Sequence, residues 1–158
     1  MSITGSQESS GFIRGEEIKI KRILVGVDSS SESKQALAFA IEIARPINAE
    51  VIACHAIGKL TTISQGHLTP IHQYRLKIIQ EFEDQWCDIL NDSGLRSQKI
   101  IVDGNPTTTL LAISEEEQAD MIIVGTRSHS IDSLLGSTAH QIIEHSPVPV
   151  VVVPPKNS

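Results

Sequence analysis

Two short stretches hold the residue types needed to grip an anion and a hydroxylated ligand. Gly136-Ser137-Thr138 stands just before a helical run carrying Ile142 and Ile143. The unpaired amides and the dipole at such a helix start make an anion site, and two hydroxyls add donors. Arg127 lies in the polar stretch upstream, where a guanidinium can meet a phosphate, with Ser128 and Ser130 as further donors. The same residues admit a plainer role, with Ser137 and Thr138 as helix caps and Thr138 and Gln141 as a capping box. The second stretch is Asp28-Ser29-Ser30-Ser31, which closes the apolar run Ile23 to Val27. Ser29 with Glu32 three residues on reads as a capping box for the next helix. Asp28 has two readings, a cap for that helix or a ligand contact.

Other chemistry lacks its pattern. None of the six histidines makes a metal site, since His140 and His145 are five apart and face different sides of a helix. His129 falls in the polar loop. No strained G-x-S-x-G elbow supports a hydrolase triad, and no G-x-x-x-x-G-K-[ST] loop marks a P-loop enzyme. The triplet Glu115-Glu116-Glu117 reads as a solvated helix end.

The elements that must carry the two stretches alternate. Ile23 to Val27 is a short apolar run, the mark of a strand covered on both faces. Ala36, Leu37, Ala40, Ile41 and Ala44 recur at helical spacing, and Pro46 is expected to stop that helix. Val51 to Ala56 reads as the second strand. A long helix is expected over Pro70 to Asp92, with Ile78, Ile79, Phe82, Trp86, Ile89 and Leu90 on one stripe and Gly94 as its C-cap. Lys99 to Asp103 is the third strand, and Pro106 opens a helix bearing Leu110, Leu111 and Ile113. Met121 to Gly125 is the fourth strand and Val148 to Val153 the fifth. Crossovers of this length require parallel strands with helices on both faces, an α/β, doubly wound open sheet of five strands. Ligands of such sheets lie beyond the carboxyl ends of the strands, where the strand order reverses, which singles out the turns 28–31 and 125–138.

Bulk properties fit one domain. The chain has 158 residues, 40% hydrophobic and 20% charged, and a 3% aromatic content leaves the core to Val, Ile, Leu and Ala. Residues 1–18 read as a flexible tail and 19–158 as a single domain. A formal net charge of −6 argues against nucleic acid and anionic membranes as partners. Cys54 and Cys87 sit in no metal or redox spacing and read as buried thiols. With no apolar span and no signal-peptide pattern, the expected location is cytoplasmic.

Four features in order resemble the universal stress protein family. They are Gly26-Val27-Asp28-Ser29-Ser30 entering a helix, and Gly104-x-Pro106 after the third strand. The third is Ala119-Asp120-Met121-Ile122-Ile123-Val124-Gly125-Thr126-Arg127. The fourth is Leu134-Leu135-Gly136-Ser137-Thr138 with the later run His145 to Val153. The resemblance covers about residues 20 to 155 and implies a Rossmann-like sheet of strand order 3-2-1-4-5. It implies a binding site for ATP or another adenine nucleotide, with Mg2+ as the ion that would accompany it. Asp28 would meet adenine or ribose, Gly26 and Val27 would line the base pocket, Ser29 would belong to the same nucleotide-binding turn, and Val51 and Val124 would flank the base. Gly125 and Gly136-Ser137 match the phosphate-binding glycine pattern of nucleotide-binding members. Ser128 replaces its middle glycine, and the span from Gly125 to Gly136 is two residues short. A lost glycine forbids backbone angles that such a loop uses. The fifth strand is apolar and placed at a sheet edge, so pairing with a second copy through 148–153 is expected, as the family resemblance also implies. Pro149 removes one donor from that pairing.

Three functions therefore compete. They are a nucleotide-binding stress-response module, a family member that binds no nucleotide and acts through protein contacts, and an enzyme of a related nucleotide-using fold. The last needs a Ser-Gly-Gly-x-Asp-Ser loop after the first strand, and this chain has Val27-Asp28-Ser29-Ser30-Ser31 there.

Overall fold

A computed structural model describes residues 18–58, 71–126 and 136–156. The apolar runs form strands β1 (Arg22–Gly26), β2 (Glu50–Ile57), β3 (Ser97–Asp103), β4 (Met121–Gly125) and β5 (Val150–Val153). Every pairing is parallel, and the order is β3-β2-β1-β4-β5. The expected doubly wound sheet and its 3-2-1-4-5 order are therefore present.

Alternation along the strands explains the two layers. Ile23, Val25, Val51, Ala53 and Ile123 face helix α1 (Ser31–Ile47), where Ala36, Leu37, Ala40 and Ala44 are buried. Their neighbours Leu24, Ile52, Ile122 and Val124 point to the opposite layer, α4 (Pro106–Glu116) and α5 (Ser137–His145). Residues one apart in a strand serve different faces, so an unbroken apolar run is what a two-sided sheet requires.

Several boundaries differ from expectation. The first helix passes through Pro46 and ends only at Asn48, whose left-handed φ of 54° turns the chain out. Pro46 gives up its amide bond and crowds the carbonyl one turn back, and the helix continues only one residue beyond it, to Ile47. Its N-cap is Ser30 rather than Ser29, with the Ser30 hydroxyl accepting from the Ser33 amide at 3.1 Å.

The long helix expected over 70–92 is broken. Its described part comprises α2 (Ile71–Glu81), a π-helical turn (Phe82–Trp86) and a single turn α3 (Asp88–Asn91). The Cys87 amide reaches back five residues to the Phe82 carbonyl at 3.1 Å. That insertion sets Phe82 and Cys87 on the same buried side, which the spacing of a regular helix would not do.

Strand β5 begins at Val150, not Val148, because Pro149 lacks an amide and contributes only its carbonyl, to Ile122 at 3.0 Å. It lies at the sheet edge, as expected. Of the proposed tail, only Ile18 is described, and it is exposed. No helix among the described residues is long and apolar enough to cross a membrane.

Candidate functional site

The strand order reverses between β1 and β4, and a cavity of about 440 Å³ opens there, within the range of small-molecule sites. Gly26, Val27 and Asp28 form one wall, Val124 and Gly125 a second, and Gly136, Ser137 and Thr138 a third. Eight of the twelve residues singled out from the sequence thus meet at one cleft. Ser29 is exposed and does not line it. Val51 is fully buried near the amino end of β2, paired with Ile23 and Ser97. It packs against the α1 layer, whereas the cleft lies at the opposite end of the strands, so Val51 is a core residue and does not line the cleft. Arg127 and Ser128, together with His129 and Ser130, lie outside the described residues.

The Asp28 turn is built by short-range bonds. Its carboxylate Oδ1 accepts from the Ser30 amide at 2.7 Å, an Asx turn that leads the chain into α1. The buried Ser33 hydroxyl accepts from the Asp28 amide at 3.0 Å and donates to the Asp28 carbonyl at 2.9 Å. Asp28 therefore shapes the helix entry and lines the cleft at once, so the two sequence readings are compatible.

Gly125 has a packing reason as well as its place on the wall. A Cβ there would sit 2.6 Å from the Glu32 carbonyl oxygen, so the first turn of α1 lies directly on this strand end. A Cβ on Gly26 would approach Leu110 Cδ1 at 3.0 Å, so Leu110 packs closely over this end of β1.

Three helix starts border the cavity. Those of α1 and α4 are closed by Ser30 and by Asn105, whose Oδ1 accepts from the Thr107 amide at 2.9 Å. The N-cap of α5 is Gly136, which has no side chain to offer its first-turn amides. The expected capping box of Thr138 with Gln141 does not start this helix, since both residues fall inside it. An anion is favoured at such an end. Among the described residues the lining holds two carboxylates, Asp28 and Glu32, and no lysine or arginine. No group of three His, Cys, Asp or Glu among the described residues could hold a metal ion.

The sequence reading missed the contribution of β2 and α4. Cys54, His55 and Ala56 end the strand beside β1, and Pro106 and Leu110 come from the helix above. A usable signal existed: in the order 3-2-1-4-5, the carboxyl end of β2 must stand next to the Asp28 turn. His55 Nδ1 lies 2.7 Å from the Val27 carbonyl, so that nitrogen carries a proton and donates. Burial pushes the imidazole below its ordinary range, against the opposing pull of the Val27 bond and of the Asp28 charge. The His55 ring meets Trp86 edge-on at 4.9 Å. Cys54 is buried, and desolvation pushes its thiol up to about 11, as expected for an inert buried cysteine.

The wall chemistry suits a ligand with a flat apolar part, hydroxyls for Asp28 and an anionic end for the α5 amides. Such a cleft at the switch point of a parallel sheet is where α/β domains of this kind hold small ligands. The model of the universal stress protein family matches residues 19–154, and the chain belongs to that family. It is 28% identical over 157 residues to universal stress protein MJ0531 of Methanocaldococcus jannaschii, covering 91% of this chain and 88% of that protein. The solved structure of protein MJ0577, from the same organism, has a TM-score of 0.76 at 28% identity and covers 89% of this chain and 99% of its own. A universal stress protein crystallised in complex with cAMP has a TM-score of 0.61 at 26% identity, covering 84% and 95%.

Proposed function

We propose that this universal stress protein is a regulatory module that binds an adenine nucleotide, ATP or another, in the cleft between the Asp28 turn and the start of α5. The observation that carries the reading is the shared cavity: one space of about 440 Å³ is lined both by Asp28 and by the amide-bearing start Gly136-Ser137-Thr138. The cAMP complex of a relative at 26% identity supports the base class. In this reading adenine lies against Val27, Val124 and Leu110, a ribose hydroxyl donates to Asp28, and phosphate meets the α5 amides. Arg127 and Ser128 would add phosphate contacts, and a Mg2+ ion would arrive with the nucleotide rather than reside in the chain. The module binds and signals; catalysis is no part of the proposal.

Thermal unfolding tests it. A nucleotide at about one hundred times its Kd stabilises the folded state by about 2.7 kcal/mol. For a chain of this size that raises Tm by roughly 5–10 °C. No shift with ATP, ADP, AMP or cAMP at millimolar concentration would remove the reading.

A second reading, a protein-contact module that binds no nucleotide, draws support from Ser128 in place of a motif glycine and from the two lining carboxylates. Both readings include a homodimer through 148–153. Val150 to Val153 are half-buried at the edge of the sheet that the described residues form, and a second copy of that strand would cover them. Sedimentation of the wild type and of Val151→Lys separates dimer from monomer.

A further inference from the structure

We propose that His55 is the positioning residue of the cleft, holding the Val27–Asp28 peptide in place and linking it to Trp86 on the π-helical turn. This extends the nucleotide reading by naming a residue through which the site is held and read out.

The paired register of β1 and β2 ends at Gly26 and Cys54. One residue later the Val27 amide still donates to the Cys54 carbonyl at 2.8 Å. The Val27 carbonyl is then met by a side chain, the His55 imidazole, at 2.7 Å. The next residue is Asp28, on the cavity wall. An imidazole thus fixes the last peptide before the turn, where β1 leaves the sheet to open the cleft.

The ring is itself held from behind. Trp86 meets it edge-on at 4.9 Å, and Phe82 lies 6.2 Å away, tilted. Phe82 and Trp86 are the first and last residues of the π-helical turn, and their own rings are T-shaped at 6.2 Å. Burial favours the neutral ring, whose Nδ1–H serves as the donor to Val27. An irregular helical turn, a buried Phe82 beside a half-buried Trp86, and a half-buried histidine therefore converge on one peptide of the site. A shift of the Asp28 turn on ligand entry must move the His55 ring or break its bond, and either event changes the surroundings of Trp86. Trp86 is the sole tryptophan of the chain, so tryptophan emission reports the surroundings of this one ring, His55 among them.

Two substitutions separate the roles. His55→Asn keeps a donor at the Nδ1 position and loses the ring, whereas His55→Phe keeps a ring against Trp86 and loses the donor. Amide hydrogen exchange of the ligand-free protein is read first at Ser30 and Asp28. The expected result for His55→Phe is exchange faster by about tenfold at these amides, with β4 amides unchanged, and near-wild-type exchange for His55→Asn. AMP is then titrated by calorimetry and by Trp86 fluorescence. His55→Phe is expected to weaken AMP about tenfold, and His55→Asn to bind within about threefold of wild type while losing most of the fluorescence change. Unchanged exchange in His55→Phe overturns the positioning role whether or not nucleotide binds. Wild-type AMP affinity in His55→Phe overturns it as well, and a wild-type protein whose Trp86 emission ignores bound AMP overturns the link to the π-helical turn. If wild type binds no nucleotide at all, the functional reading fails, and the exchange comparison still decides the role of His55.

Discussion

Replacing Gly125 by alanine adds one methyl group at the place where helix and strand lie closest. Its Cβ would stand 2.6 Å from the Glu32 carbonyl oxygen, 2.7 Å from the carbonyl carbon and 3.1 Å from the Ser33 amide nitrogen. All three are backbone atoms, so no side-chain rotation relieves the overlap, and the first turn of α1 must shift off β4. Forced insertions into a packed interior cost about 1–3 kcal/mol, and a backbone clash belongs at the upper end. At about 2–4 °C per kcal/mol for a chain of this size, Gly125→Ala should lower Tm by roughly 5–10 °C. Gly58→Ala is the control, since nothing lies within 4 Å of a Cβ there. Its effect should stay within about 0.5 kcal/mol. Urea unfolding of both variants beside wild type measures the difference. Because Glu32 also lines the cleft, the shift should weaken nucleotide binding too. If Gly125→Ala unfolds with wild-type stability and loses only ligand, the glycine serves a phosphate loop alone and the close seating of α1 on β4 is wrong.

Further outcomes follow from the same geometry. Asp28→Ala removes the acceptor for the Ser30 amide and should cost about 1 kcal/mol in urea unfolding while weakening adenine nucleotides about tenfold by calorimetry. Asn105→Ala removes the cap that accepts from Thr107 and Thr108 and should cost about 1 kcal/mol with nucleotide affinity unchanged. Burial raises the Cys54 thiol to about 11 and the Cys87 thiol to about 12 from a usual 9.0. At pH 8 both should therefore react with a disulfide reagent at least about 100-fold more slowly in the native than in the unfolded chain. The native His55 titrates below its usual 6.5, chiefly through burial, so the unfolded chain takes up its proton first as pH falls. The stability it contributes is present above pH 6.5 and is lost as pH drops through the lowered native value. Urea midpoints at pH 7.5 and 5.5 should differ less in His55→Asn than in wild type.

The sheet was readable because its strands are apolar and β-branched without interruption, as two-sided burial demands, and because Pro106 and Gly136 punctuate helix starts. Ser29-Ser30-Ser31 defeated exact cap placement, since three identical side chains offer the same oxygen and only the fold selects Ser30. The break in the second helical segment left no local trace. Phe82 and Trp86 satisfy a regular stripe on paper, and only burial of Phe82 together with Cys87 requires the inserted residue. Val51 sits away from the cleft for a geometric reason already in the sequence: it stands at the amino end of its strand, and only the carboxyl ends border the cleft. His55 escaped notice although the expected order 3-2-1-4-5 already set the end of β2 beside the Asp28 turn; what no local pattern contains is its bond to the Val27 carbonyl.

The central claim is that an adenine nucleotide spans the gap from the Asp28 turn to the first amides of α5. Structure determination of crystals soaked with ATP and Mg2+ tests it most directly. The account predicts adenine against Val27 and Val124, a ribose hydroxyl at Asp28 and phosphate oxygens within hydrogen-bond reach of the Ser137 and Thr138 amides. A cleft left empty at saturating nucleotide, or a nucleotide bound elsewhere on the molecule, would contradict it.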